Sequence, residues 1–111
     1  MLRSALLLSA VAGALLGTAA HAQVTVVAPE LWDRPRTSRS VLGHESIRGP
    51  VVAALQQPDA QIVLHHAPGA ESQLQAEELR SWLGALAIDP RRIVLRSDGT
   101  AGAPMTIEIV P

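Results

Sequence analysis

From residue 23 onward, short apolar blocks alternate with longer stretches in which apolar positions recur every three or four residues. Residues 24–28 form a β-branched apolar run that stops at Pro29, which predicts a strand. Residues 46–57 place Ile47, Val51, Val52 and Leu55 at helical spacing and predict a helix with one apolar face. Pro50 suits that helix only near its start, where backbone N–H groups lack partners within the helix, and Pro58 ends it. Residues 61–66, centred on Ile62, Val63 and Leu64, predict a second strand covered on both faces.

The clearest helix begins at Ser72, where Ser72 and Gln75 fit a capping box. Its apolar face carries Leu79, Trp82, Leu83 and Leu86, while Glu77, Glu78, Arg80 and Ser81 face water. Trp82 is therefore expected to be buried, with Trp82→Ala costing about 3–5 kcal/mol. Residues 92–96, around Ile93, Val94 and Leu95, predict a third strand. After a Gly-rich turn over residues 97–104, residues 105–110 alternate apolar and polar, as a strand with one wet face does. The order β-α-β-α-β-β predicts an α/β domain, an α+β sandwich with two helices packed on a small mixed sheet. Strands separated by helices pair in parallel, and the last two strands are free to form a hairpin. Residues 30–45, rich in charge, Pro and Ser, form a loop-rich connector pinned by Leu31 and Trp32.

The first residues change the picture from fold to compartment. Arg3 supplies a positive start, residues 5–17 are apolar and uncharged, and Ala20-His21-Ala22 is an A-x-A cleavage site. Residues 1–22 read as a secretory signal peptide and 23–111 as one small periplasmic or secreted domain. The apolar stretch is well short of the roughly 20 residues that a bilayer span needs. Loss of Arg3 turns 9 basic against 10 acidic residues into 8 against 10. A slightly acidic chain with two Trp as its sole aromatics suits neither a nucleic-acid surface nor a base-stacking platform. With no cysteine, stability must come from burial without a disulfide.

Candidate chemistry is sparse. His65 and His66 are strand neighbours and point to opposite faces, so they do not share one metal. No metal-ligand spacing joins them to His44, and no metal or cofactor is expected. Glu77 and Glu78 diverge on a helix, there is no G-x-S-x-G, and the two glycines at 99 and 102 lack the Lys of a P-loop. Enzyme activity is not expected. Arg34, Arg36, Arg39 and Arg48 concentrate positive charge, with Asp33 and Glu45 as counter-charges. They are candidates for docking an envelope protein or an anionic cell-wall polymer.

Ala76-Glu77-Glu78-Leu79-Arg80-Ser81-Trp82-Leu83, followed by Ala87-Ile88-Asp89-Pro90-Arg91-Arg92-Ile93, resembles the R-A-x-x-V-x-x-Y-L … G-I-D-P-x-R-I segment of OmpA-like peptidoglycan-binding domains. Gln57-Pro58-Asp59-Ala60 resembles that family's lead-in to its G-H-T-D motif. The resemblance covers roughly residues 47–110 and implies the fold and an envelope location. It places His66 at the motif's His, the one ligand-binding candidate it supplies. In the family, an Asp after the second strand and an Arg early in the second helix hold diaminopimelate. Here those positions fall near Pro68 and at Gln75, and Ala87 replaces the family's Gly. The resemblance thus implies a non-catalytic envelope interaction module without the usual diaminopimelate site. The alternative is a small periplasmic enzyme or ligand carrier, which a pocket lined by convergent polar groups would favour. Amino-terminal sequencing of the protein from the envelope fraction is expected to begin Gln23-Val24-Thr25, and a retained Met1 would rule out the export signal.

Overall fold

The computed structural model describes residues 22–111; the segment that reads as an export signal, apart from Ala22, lies outside them. Four strands form one mixed sheet: β1 (Gln23–Val26), β2 (Gln61–His65), β3 (Ile93–Arg96) and β4 (Thr106–Val110), in the order β1-β4-β2-β3. Three α-helices connect them: α1 (Ser38–Gly43), α2 (Glu45–Gln56) and α3 (Ala70–Ala85). The chain folds as the α+β arrangement its periodicity predicts.

The sheet corrects one pairing. β3 and β4 do not form a hairpin: β4 lies between β1 and β2, antiparallel to both, while β2 and β3 are parallel. The reason is reach. A tight hairpin needs a loop of two to five residues, whereas residues 97–105 are long enough to pass over β2. A second correction concerns the connector. Residues 30–45 hold a 3-10 turn (Pro29–Asp33) and α1, which is capped by reciprocal bonds between Thr37 and Ser40.

The core lies between the helices and one sheet face. Ile62, Leu64, Ile107 and Ile109 present that face, opposed by Ile47, Val51 and Ala54 of α2 and by Ala76, Leu79 and Leu83 of α3. In α2 the buried stripe runs through Ile47, Pro50, Val51 and Ala54, while Val52 and Leu55 point to solvent. Pro50 sits inside the helix beyond its first turn, because its ring fills core space, although it has no N–H for the Ser46 carbonyl. Val63 is buried on the opposite face, between Val94 and Glu108 in the register. Trp82 is half-buried rather than fully buried: its ring packs against the core and its indole N–H donates to Glu78 at 3.3 Å. The full cost expected for Trp82→Ala therefore belongs instead to Leu79 or Leu83, both fully buried.

Two local devices fix the helix ends. Arg92 donates to the carbonyls of Ala54, Gln57 and Ala60 at 2.9, 2.7 and 2.9 Å, so one guanidinium ties together the segment where α2 stops and β2 begins. α3 ends in a Schellman motif: Ile88 N–H bonds to the Leu83 carbonyl, Ala87 N–H to that of Gly84, and Ala87 has φ +75°. This is left-handed backbone, which an L side chain occupies at a cost of about 1–2 kcal/mol. Ala87→Gly is expected to raise stability by about 1 kcal/mol in urea titration.

Candidate functional site

The end of β2 splits two adjacent histidines between the two sheet faces. His66 is 5% exposed and lines a cleft of about 330 Å³. Four segments build the cleft: the chain after β1, the residues that follow β2, the start of α3, and the residues entering β4. Val27, Trp32 and Met105 give it apolar walls, and Asp33, Glu71, Ser72 and Gln75 supply its other polar groups. The His66 Nδ1 lies 2.9 Å from the Ala67 carbonyl oxygen. A carbonyl only accepts, so Nδ1 carries the proton, and in the neutral ring Nε2 is an acceptor. Among the described residues nothing hydrogen-bonds to that Nε2.

The capping box expected at Ser72 and Gln75 is not formed. α3 starts two residues earlier, at Ala70, behind Gly69, whose φ of +112° only glycine adopts freely. Ser72 and Gln75 thus lie within the helix, and their side chains face the cleft. Glu71 occupies the first turn, where a negative charge answers the partial positive charge of the helix start. Pro68, near which the resemblance puts the family's Asp, is exposed and brings no charge.

The loop after β3 is tied to this site from behind. Gly99 N–H donates to the His66 carbonyl at 2.9 Å, and a Cβ on Gly99 would meet the His66 carbonyl carbon at 2.9 Å. Only glycine allows that approach. The loop then runs to Met105, whose carbonyl accepts from Val27 N–H at 2.8 Å and closes the cleft wall.

His65 faces the other side of the sheet. Its Nδ1 is 2.7 Å from Asp98 Oδ1 and its Nε2 is 2.9 Å from Glu108 Oε1. Both carboxylates accept, so the favoured state is the doubly protonated imidazolium. The bond to Glu108, then that to Asp98, hold the His65 pKa above its ordinary value, and the bond from His65 holds Asp98 below the usual carboxylate range. The cluster joins β2, β4 and the loop that walls the cleft.

The four candidate docking arginines do not act as one group. Arg36 is turned inward: Nε and Nη2 grip Glu78 at 2.6 and 2.9 Å, Nη1 donates to the Trp32 and Arg34 carbonyls, and the guanidinium lies 5.4 Å from the Trp32 ring centre. That pairing holds Glu78 below its ordinary pKa and fastens the connector to α3. Arg48 pairs with Glu45 and donates to the Leu42 carbonyl. The side chains of Arg34 and Arg39 are exposed and make no hydrogen bond among the described residues. Asp33 and Trp32, read from sequence as a counter-charge and a pin for the connector, prove to line the cleft; a Trp-Asp pair in a polar connector was the signal available.

Comparison with family models, with curated proteins and with solved structures finds no match for this chain. Among the described residues no helix is long and apolar enough to cross a membrane, and no group of three or more His, Asp or Glu is arranged to hold a metal ion.

The His65 cluster sets a pH dependence. Its raised folded pKa makes the histidine's contribution complete below about pH 6.5 and lost as pH rises through the folded value. The depressed pKa of Asp98 works in the opposite direction: its contribution is present above about pH 3.9 and lost as pH falls through the folded value. Stability is therefore expected to fall as pH rises from about 6.5 through the folded value of His65. In Asp98→Asn that fall should shrink, and the NMR titration midpoint of His65 should move down towards its ordinary value.

Proposed function

We propose that this protein is a non-catalytic, exported binding module of the cell envelope. On this reading it is a divergent relative of the OmpA-like peptidoglycan-binding domain that holds a small ligand in the cleft at His66. The carrying observation is that side chain: a buried histidine whose second ring nitrogen has no protein partner and which lines a cavity of ligand size. The cleft stands where the resemblance puts the family's ligand. Two scaffold features support kinship. Arg92, at the motif's Arg, caps α2, and Ala87, at the motif's Gly, keeps the left-handed backbone that glycine ordinarily supplies.

The non-catalytic reading is supported by the surroundings of His66. Its Nδ1 is tied to a backbone carbonyl rather than to an orienting carboxylate, and among the described residues no hydrogen bond joins it to Ser72. A nucleophile and base need that contact. The cleft favours a ligand-binding role over docking through a flat basic patch, since Arg36 and Arg48 are already paired.

The module is not expected to hold diaminopimelate tightly. A zwitterionic end needs a cation for its carboxylate, and Gln75 cannot supply the fork that Arg gives. Loss of the charge-assisted contact to the ligand carboxylate costs roughly 1.5–3 kcal/mol, which weakens a micromolar site about 10- to 100-fold. Two measurements test the reading. With purified sacculi, co-sedimentation should show no saturable pelleting at low micromolar protein. With a small-molecule extract of the envelope, NMR shifts should concentrate at Trp32, His66 and Met105. Pelleting competed by free diaminopimelate would restore the family's ligand, and the absence of any cleft-centred shift would overturn the binding site.

A further inference from the structure

The polar character of the cleft is one-sided. Asp33 reaches it from the turn after β1 and Glu71 from the first turn of α3. Among the described residues neither carboxylate has an ion pair or a side-chain hydrogen bond. Both are acceptors, and in the neutral ring the free Nε2 of His66 is an acceptor as well. No arginine lines the cleft. The nearest in sequence, Arg36, is fully engaged by Glu78 and stacked on Trp32. The start of α3 is the one feature that attracts an anion, and Glu71 already answers it.

We propose that the cleft takes a primary ammonium group carried on an alkyl stem, a cationic amine rather than an amino acid or a carboxylate. The proposal rests on the cleft being the binding site and names what enters it. An ammonium has three donors and accepts nothing, which matches three acceptors that lack protein partners. Val27 and Met105, both buried, and the Trp32 indole give the stem an apolar path. A ligand carboxylate would meet two like charges and no cation in the same space, so the cleft discriminates by repulsion as well as by attraction.

The experiment uses the purified protein with Trp82→Phe, so that Trp32 is the sole indole and reports from the cleft wall. The probe is 1,5-diaminopentane, with glutarate as a dianion of similar length and lysine as the zwitterionic comparison. The diamine is expected to change Trp32 fluorescence saturably in the millimolar range or below, and more weakly as salt rises, since the charges are solvent-accessible. Asp33→Asn and Glu71→Gln, both at exposed positions, should each weaken it at least about fivefold, with thermal stability unchanged in Asp33→Asn and only slightly lowered in Glu71→Gln, which also loses its charge at the helix start. Glutarate should produce no saturable change, and lysine should bind more weakly than the diamine. Glutarate binding as well as the diamine would overturn the proposal, as would diamine binding that persists unchanged in the double variant. If envelope extract shifts the cleft signals while the diamine does not, the binding site stands and the ammonium assignment falls.

Discussion

The architecture turns on where β4 sits. This strand bonds to β1 on one side and to β2 on the other, so among the described residues it is the only strand partner β1 has and its only link to the rest of the sheet. Its alternating pattern suits that place: Ile107 and Ile109 enter the core beside Ile62 and Leu64, while Thr106 and Glu108 take the opposite face. The cleft depends on the same placement, since Val27 and Met105, joined by a backbone bond, lie where β1 and β4 meet. Had β4 paired with β3, its carbonyl would not reach Val27 and that wall would be missing.

What the sequence made legible was local. Each strand and both long helices follow from apolar spacing, because period two and period 3.6 are properties of neighbouring residues. Pairing order is a long-range property. Residues 97–105 allow either a hairpin or a crossing, and the hydrogen-bonding needs of β1, far away in sequence, select the crossing. The start of α3 was misplaced for a related reason. Ser72 and Gln75 satisfy a capping pattern, but Gly69 lets the chain turn earlier, and Ala70 and Glu71 then extend the helix. The stripe on α2 was partly misread because Pro50 and Ala54 scarcely register as core residues in a hydropathy pattern, yet they pack where Val52 and Leu55 were expected.

The site divides along the same line. His66 was a ligand-binding candidate from the motif position it occupies, and it lines the cleft; Gln75, read as a capping residue, lines it too. Asp33 and Glu71 were not, since nothing in local sequence says that the connector folds back over the start of α3. The fastening that brings them there is Arg36 on Glu78, a pair separated by most of the connector and two further elements. A residue that resembled a docking cation instead fixes the geometry of an anionic cleft.

The two adjacent histidines give β2 a chemical guard on its own alignment. Ile62 and Leu64 enter the core while Val63 and His65 take the other face. A slip of one residue would exchange the sets. It would drive the imidazolium of His65 into hydrocarbon, strand Asp98 and Glu108 without their shared partner, and break the bond that the His66 carbonyl accepts from Gly99 N–H. A misaligned strand would thus be penalised by desolvated charge on one face and by lost apolar burial on the other. In a sheet whose strands are only four or five residues long, this double penalty makes the correct alignment the only well-satisfied one, without any disulfide to enforce it.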